Sequence, residues 1–392
     1  MRDEMRAYLN TPVERHGTHS VKWDHLDRVF GRADLMAMWV ADMDFRTVPQ
    51  IREALVQRAS HAIYGYTDFG EEERDAEIGW LKRRHNIDVS PDWILYSPGV
   101  VDSLFLCVSC LTGSDDAVLV QPPVYGPFYR AVEANGRILV SSPLIRENDG
   151  WRMNFQDLEE KFSRGVKMML LCSPHNPVGR VWRFEELQRL VDLAERYNVI
   201  IVSDEIHSDF TFDGHRHTGI LALKNSRHCV MLTSATKSFN LAGLRHSSVI
   251  VPDPVIREKL QSSMELSHSF TPNLFGSVAQ ITAYRYGDEW MDAVVEYIRE
   301  NRDFVLDYFH EHIPEVGCLP QEGTYLMWLD FSETGLPHES IKELLVQRGR
   351  VALNDGLFFG EEGRGWFRLN LATQRANVVK SMDGICHAIH SR

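Results

Sequence analysis

The residue of this sequence best placed to do chemistry is Lys237, which lies in a polar segment directly after a short apolar run. The run at 229–232 predicts a buried strand, and the segment at 234–245 reads SATKSFNLAGLR. Because burial disfavours the ammonium form, a lysine in such a place can become a free amine that forms a Schiff base with a carbonyl compound. The neighbouring groups suited to holding a phosphate belong to Ser234, Thr236, Ser238 and Arg245. Taken alone, the S-x-x-K spacing is a weak signal, because a lone lysine is far more often a solvated surface residue.

Two further polar motifs follow apolar runs. One, at 199–207, reads VIIVSDEIH and contains Asp204, while the other, at 173–179, reads SPHNPVG and contains Asn176. Ligands bind at the carboxyl ends of parallel strands, so we expect the three motifs to meet at one edge of a sheet. An aldehyde held by Lys237 beside a bound phosphate describes pyridoxal phosphate. That cofactor needs a carboxylate to keep its pyridine nitrogen protonated, and Asp204 is the residue that we expect to supply it.

Alternating strand and helix patterns predict the α/β fold class. The apolar runs between 94 and 251 alternate with helical patterns, of which the amphipathic stretch at 184–197 is the clearest. A long helix at about 288–312 then leads into a second set of elements, with strands predicted at 325–331, 351–354 and 366–371 and helices at 339–348 and 377–390. We therefore divide the chain into an N-terminal arm that contributes to the small domain and the substrate site, a large cofactor-binding domain and a small C-terminal domain, at 1–49, 50–285 and 286–392.

A phosphate cradle is predicted where the first strand of the large domain ends. The strand at 94–97 leads into Pro-Gly, and a helix is expected to begin near Val100. Backbone N–H groups at a helix start bind phosphate without any special side chain. The cradle residues are therefore Gly99, Val100 and Val101.

The wording and order of these motifs resemble the MalY/PatB-type carbon–sulfur lyases, which are cystathionine β-lyase-like members of the fold-type I pyridoxal-phosphate-dependent enzymes. The likeness extends from RHGTHSVKWD at 15–24 to the C-terminal helix. It implies the fold-type I transferase fold, with a mostly parallel sheet in the large domain and a smaller α+β domain. It also implies pyridoxal 5'-phosphate as the cofactor and a homodimer with shared active sites.

The resemblance also implies roles for individual residues. Tyr125, in PPVYGPF, would cover one face of the cofactor ring, and Tyr66, in YGYTDFG, would reach the cofactor phosphate of the neighbouring subunit. The expected catalytic residues are Lys237, Asp204 and Tyr125. The expected cofactor-binding residues are Tyr66, Gly99, Val100, Val101, Tyr125, Asn176, Asp204, His207, Ser234, Thr236, Lys237 and Arg245. The expected substrate-binding residues are Ala41, Asn176 and Arg368, the last of which would bind the α-carboxylate.

Several of these residues are also compatible with a purely structural role. Packing would account for the aromatic loop around Tyr66, and a structural ion pair would account for Arg368 on its apolar strand. Cys107 and Cys110 have C-x-x-C spacing but lie in an apolar helical run, which predicts packing. His215 and His217, like His16 and His19, are expected to be loop polar groups, so no metal site is predicted.

Composition bounds the remaining possibilities. The 392 residues carry 42 basic and 55 acidic side chains, and the net charge of −13 argues against nucleic acid or an anionic membrane as the main partner. Neither a signal peptide nor a membrane span is recognisable, so the expected location is the cytoplasm. The expected partner is a small amino-acid substrate.

The predicted reaction is a β-elimination on cystathionine- or cysteine-type amino acids that releases a thiol, pyruvate and ammonia. Two alternatives remain: a pyridoxal-phosphate-dependent aminotransferase and a cofactor-binding regulatory protein. Aminotransferases that act on acidic substrates need a cation for the side-chain carboxylate. The run at 260–284 contains neither lysine nor arginine and offers only His268, which favours the lyase.

Overall fold

The computed structural model describes residues 2–147, 150–267, 273–319 and 321–391. His268, noted in the run at 260–284, lies outside these ranges. The strands are β1 (Met36–Ala37), β2 (Ile94–Ser97), β3 (Ala117–Val120), β4 (Ile138–Ser141), β5 (Ile145–Glu147), β6 (Gly150–Arg152), β7 (Val166–Cys172), β8 (Ile200–Asp204), β9 (Val230–Thr233), β10 (Ser247–Ile250), β11 (Gly317–Cys318), β12 (Leu326–Asp330), β13 (Val351–Ala352), β14 (Asn354–Asp355) and β15 (Trp366–Asn370).

Helices surround these strands and connect most of them. They are α1 (Arg2–Asn10), α2 (Val21–Asp24), α3 (Leu26–Phe30), α4 (Pro49–Ser60), α5 (Glu71–His85), α6 (Val100–Leu111), α7 (Pro127–Glu133), α8 (Phe155–Ser163), α9 (Phe184–Tyr197), α10 (Ala235–Ser238), α11 (Pro254–Ser267), α12 (Leu274–Tyr286), α13 (Asp288–His312), α14 (His338–Gln347) and α15 (Arg375–His390). The predicted start of α6 at Val100 is confirmed.

The large sheet is mostly parallel. Within the described ranges it has seven strands in the order β2-β10-β9-β8-β7-β3-β4. The strands from β9 to β4 run parallel to one another, while β10 is antiparallel to both of its neighbours. The predicted α/β fold class is confirmed.

Apolar side chains cover both faces of this sheet, because successive residues of a strand point in opposite directions. In β7, Met169 and Leu171 belong to one buried cluster, while Met168 and Leu170 belong to the cluster on the other side. This two-sided burial explains why the strands appear in the sequence as continuous apolar runs rather than alternating ones.

A smaller antiparallel sheet forms in the C-terminal part, with the order β11-β12-β15-β14. The single strand predicted at 351–354 is wrong, because the segment divides: β13 pairs in parallel with β1 of the arm, whereas β14 pairs with β15. The arm is thereby bound to the C-terminal part, and α1 also packs on α13. The three-part division at 1–49, 50–285 and 286–392 stays a prediction.

Candidate active site

Three strand ends of the large sheet open into one cavity of about 220 Å³. Asp204 ends β8, Asn176 lies in the turn after β7, and Lys237 lies on the short helix that follows β9. All three side chains border the cavity, as the strand-end argument predicts. The predicted site residues that line it are Ala41, Gly99, Val100, Val101, Tyr125, Asn176, Asp204, His207, Thr236, Lys237 and Arg245.

The amine of Lys237 is held against the N-terminal arm, where it donates a hydrogen bond to the carbonyl oxygen of Ala41. Burial lowers the pKa of Lys237 to about 8, and the cation of Arg368 acts in the same direction. The carboxylates of Asp42 and Asp204 oppose this shift. Near neutral pH, an appreciable fraction of the amine is therefore unprotonated and can act as a base or nucleophile.

The carboxyl group of Asp204 is buried beneath the cavity. Burial raises its pKa to about 7, although the backbone N–H of Ile206, 3.2 Å from Oδ1, and the charge of Lys237 oppose this. The neighbouring Glu205 carboxylate raises the pKa further. A carboxyl group in this state readily shares a proton with a nitrogen base placed opposite it.

Arg368 is fully buried, yet none of the carboxylates in the described ranges lies within ion-pair distance of it. Its Nη1 donates to Asn176 Oδ1 and its Nη2 to the carbonyl oxygen of Trp39, both at 3.0 Å. The Nε atom has no hydrogen-bond partner. Burial lowers its pKa to about 10, so most of the group stays charged at neutral pH. The structural ion pair considered for Arg368 is therefore wrong, and its donors are suited to an incoming carboxylate.

His207 lies beside these cations. Burial lowers its pKa well below 6.5, with Lys237 and Arg368 adding to the effect. Its Nδ1 has no hydrogen-bond partner. The neutral imidazole thus offers an unpartnered polar atom at the cavity, where the resemblance implies a cofactor-binding residue.

The opposite end of the cavity is suited to a phosphate. The first turn of α6 presents Gly99, Val100 and Val101, and Thr236 and Arg245 face the same space. The guanidinium of Arg245 lies 3.1 Å from the carboxylate of Asp102, and both side chains are largely exposed. Helix-terminal N–H groups, a hydroxyl and a guanidinium together form a typical phosphate-binding set.

The remaining predicted residues lie outside the cavity lining. Ser234 donates to the carbonyl oxygen of His246 and contacts the Thr236 hydroxyl at 2.7 Å, so it supports Thr236 from behind. Tyr66 is fully exposed on this chain, in contrast to the packing role considered for its loop. Its predicted contact with a second subunit stays a prediction.

A buried polar network that the sequence did not reveal fixes the strand ends from behind. Ser238, expected near a phosphate, instead donates to Asp209, whose other oxygen lies 2.9 Å from His85. His217, expected to be a loop polar group, is buried 2.7 Å from Glu205. The contact between Asp209 and Ser238 connects the segment after β8 to the helix of Lys237. The alternation of Glu205, His207 and Asp209 directly after β8 was the available signal.

Other features have no part in this site. Cys107 is completely buried in α6, where burial raises the pKa of its thiol, as packing predicts. Within the described ranges, no group of three or more histidine, cysteine or carboxylate side chains is arranged to hold a metal ion. In the same ranges, we find no helix with the length and apolar character needed to cross a membrane.

The residues present fit pyridoxal phosphate. The amine of Lys237 faces the cavity and suits a carbonyl group, the buried carboxyl group of Asp204 suits a ring nitrogen, and the set at the start of α6 suits a phosphate. The unpartnered atoms of His207 and Arg368 supply further polar positions. This combination of groups suits a molecule that carries an aldehyde, a ring nitrogen and a phosphate together.

Known proteins are similar to this chain in sequence and in fold. The aminotransferase class I and II family matches residues 33–385. The chain belongs to this family. Cystathionine β-lyase PatB of Bacillus subtilis is 40% identical to the chain, with 96% of this chain and 98% of that protein covered. Protein MalY of Escherichia coli is 33% identical, with 97% and 98% covered.

A solved structure extends the comparison to three dimensions. Cystalysin from Treponema denticola, whose crystal structure contains pyridoxal 5'-phosphate, superposes with a TM-score of 0.93 at 31% identity. The superposition covers 98% of each chain. The resemblance inferred from the strand-end motifs is therefore confirmed over nearly the whole length.

Proposed function

We propose that this chain is a pyridoxal-phosphate-dependent carbon–sulfur β-lyase. It converts cystathionine- or cysteine-type amino acids and water to a thiol, pyruvate and ammonia. The observation that carries the proposal is Arg368, a buried guanidinium without a carboxylate partner in the described ranges, bonded to Asn176 at the wall of the Lys237 cavity. The name of the PatB relative, cystathionine β-lyase, supports the same chemistry, and the cofactor in the cystalysin structure supports the use of pyridoxal phosphate.

The residues divide the work of the reaction. Pyridoxal phosphate supplies an electron-withdrawing ring that stabilises negative charge at the substrate α-carbon. Arg368 and Asn176 hold the substrate carboxylate, and Lys237, as a free amine, takes the α-proton. Asp204 keeps a proton on the ring nitrogen, and Tyr125 covers one face of the site. The thiolate then leaves from the β-carbon, and water converts the remaining three-carbon unit to pyruvate and ammonia.

One assay tests this proposal directly. Purified enzyme with cystathionine should release pyruvate and thiol steadily without any added 2-oxo acid. Aspartate and glutamate serve as controls and should be poor substrates, because the run at 260–284 has no lysine or arginine for a second carboxylate. A stall after one turnover, relieved only by a 2-oxo acid and without thiol release, would show an aminotransferase instead.

We further propose a homodimer whose two active sites share residues. The support is Tyr66, an exposed aromatic side chain in a loop whose wording matches the resemblance. Mixing inactive Tyr66→Ala and Lys237→Ala protomers should restore part of the activity, because one site of each hybrid carries neither defect. Absence of recovery in hybrids whose formation has been demonstrated would contradict the shared site.

The cytoplasm is the setting that we propose. The support is the state of the six cysteines, which are all free thiols. Thiols persist in reducing compartments, whereas secreted proteins tend to convert them to disulfides. Fractionation of cells that express the natural protein would test the location.

A further inference from the structure

The carbonyl oxygen of Ala41 is the acceptor of two hydrogen bonds at the edge of the active site. One comes from Nζ of Lys237, and the other comes from the hydroxyl of Tyr325 at 3.0 Å. The acceptor belongs to the N-terminal arm, and Lys237 lies on the helix after β9. Tyr325 is the residue just before β12. Three distant parts of the chain therefore meet at one oxygen atom beside the catalytic amine.

The backbone around Ala41 is fixed from the other side. The side-chain nitrogen Nδ2 of Asn370 donates to the backbone carbonyl oxygens of Val40 and Asp42, each at 2.7 Å. The N–H of Met43 donates to the side chain of Asn240 at 3.0 Å. Because the flanking peptide groups are held in this way, the direction of the Ala41 carbonyl is set by the protein and not by Lys237.

Tyr325 is equally restrained. Its side chain is fully buried. Its ring packs edge-on against the rings of Phe210 and His207, with centroid separations of 4.8 Å and 5.6 Å. A buried tyrosine hydroxyl needs a hydrogen-bond partner, and Ala41 provides it. The hydroxyl of Tyr325 is therefore held in hydrogen-bond contact with the Ala41 carbonyl oxygen, which also accepts from Lys237.

We propose that Tyr325 is a positioning residue for the amine of Lys237 and acts through the carbonyl oxygen of Ala41. The inference rests on the proposed function, in which that amine takes the α-proton. A carbonyl oxygen has two acceptor positions. The hydroxyl of Tyr325 occupies one of them, so Lys237 can approach the oxygen only from the other. Because the oxygen already accepts one hydrogen bond, it is a weaker acceptor and stabilises the ammonium form of Lys237 less strongly.

Three charged groups act on the amine of Lys237. Asp42 from the arm and Asp204 from the end of β8 favour its ammonium form, while Arg368 from β15 opposes it. The neutral His207 packs beside them. Replacing Tyr325 by phenylalanine removes one hydroxyl and leaves all of these charges in place. A change in the titration of Lys237 in that variant would therefore report the hydrogen bond to Ala41.

The test is Tyr325→Phe in the full-length, cofactor-free chain. Trace acetylation with acetic anhydride at a series of pH values, followed by mass spectrometry of the Lys237 peptide, gives the titration midpoint of this amine. We expect the midpoint to rise by about 0.5 to 1 pH unit, so that labelling below the midpoint slows about three- to tenfold. In the loaded enzyme, kcat should fall by a similar factor with KM nearly unchanged, and the acidic limb of the rate profile should move upward.

Tyr8→Phe is the matched control. Its hydroxyl also donates to a backbone carbonyl oxygen, that of Thr47 at 2.8 Å, and it belongs to the same arm. The control should leave the Lys237 midpoint and kcat unchanged. If Tyr325→Phe lowers only the thermal unfolding temperature, as loss of any buried hydrogen bond would, the positioning role is overturned.

A second variant covers the case in which Tyr325→Phe fails to fold. Site-specific 3-fluorotyrosine at position 325 keeps the ring and the hydroxyl but strengthens the donor, so the midpoint should move downward. An unchanged or higher midpoint would contradict the inference. The proposed function is judged separately: if wild-type protein does not bind pyridoxal phosphate through Lys237, that proposal fails, whereas equal midpoints in wild type and variant refute only the role of Tyr325.

Discussion

Two neighbouring regions of this molecule bury the same kinds of charged side chain with opposite results. The arm ion cluster consists of Arg15, Lys22, Asp42 and Asp44. The other region is the cavity, with Lys237 and Asp204 in its lining and Arg368 bonded to Asn176 at its wall. In the cluster, Lys22 lies 2.7 Å from Asp44, and Arg15 lies 2.9 Å from Asp42 and 2.8 Å from Asp44. In the cavity, the corresponding lysine and arginine donate to neutral oxygens.

The electrostatic consequences separate the two regions. Burial alone would raise the pKa of Asp44, but Lys22, Trp23 and Arg15 outweigh it and hold the pKa below 3.8. In the cavity the opposing charges compensate only in part, so burial still lowers the pKa of Lys237 and raises that of Asp204. Charges neutralised within the chain stabilise the fold, whereas charges left incompletely paired are available to a ligand.

The largest expected effect tests the cavity side of this comparison. Lys237→Met should reduce turnover by at least about 10³-fold, because it removes the base that takes the α-proton. The free energy of unfolding of the cofactor-free protein should stay the same or increase, since an incompletely paired buried amine has been removed. Pyruvate release and urea unfolding measure the two quantities. Activity within tenfold of wild type would rule out the role of Lys237.

The same substitution in the arm should act on stability. Lys22→Met leaves the buried carboxylate of Asp44 with less compensation, and we expect the free energy of unfolding to fall by about 3 kcal/mol. Adding Asp44→Asn should restore part of this loss, because the neutral amide tolerates the site. Urea unfolding of wild type, the two single variants and the double variant measures the coupling. A Lys22→Met variant as stable as wild type would remove the distinction between the two regions.

The pH dependence of stability should also differ in sign. The pKa of Asp204 is raised from 3.8 to about 7, so the folded chain binds more protons than the unfolded chain between these values, and stability falls as pH rises through this window. Asp204→Asn should therefore stabilise the cofactor-free protein by about 2 kcal/mol at pH 7 and have little effect near pH 4.

Asp44 provides the matched control for this measurement. Because its pKa is lowered, its contribution to stability is present above pH 3.8 and is lost as pH falls through the lowered value. Asp44→Asn should therefore destabilise the protein at pH 7. Unfolding curves for both variants at pH 4 and pH 7 test the signs, and equal effects of the two variants at pH 7 would contradict the comparison.

The smallest effect on stability is expected at the rim of the cavity. The pair of Arg245 and Asp102 is largely exposed, so Arg245→Ala should change the free energy of unfolding by less than about 1 kcal/mol. The same variant should bind pyridoxal phosphate about tenfold more weakly, because a charge-assisted contact with the phosphate is lost. Binding of pyridoxal, which has no phosphate, is the control and should be unaffected.

The sequence predicts the strand-end residues of the site because the signals are local. Asp204, Asn176 and Lys237 each follow an apolar run, and the strand-end rule for parallel sheets requires them to converge. The start of α6 at Val100 was likewise visible from Pro-Gly followed by a helical pattern. These predictions need only the order of the elements and the geometry of a parallel sheet.

Other parts of the site depend on contacts between segments far apart in the chain. Tyr325 lies in an apolar run and is typical of a core residue until the structure places it against Ala41. The bond from Arg368 to the carbonyl oxygen of Trp39 carries no side-chain signal at position 39. The division of 351–354 depends on β1, whose partner could not be deduced from a two-residue strand. Long-range pairing, and not local propensity, decides these features.

The pairing of β1 with β13 has a consequence for biosynthesis. Met36 pairs with Val351 in the two-stranded sheet. The side chain of Asn370 donates hydrogen bonds to the carbonyl oxygens on either side of Ala41. This wall of the cavity cannot form until residue 370 has left the ribosome. At about 5–20 residues per second, the arm waits roughly 15 to 65 seconds for its partners. During that interval Met36, Met38 and Met43, which the finished protein buries, remain open to chaperones and to aggregation.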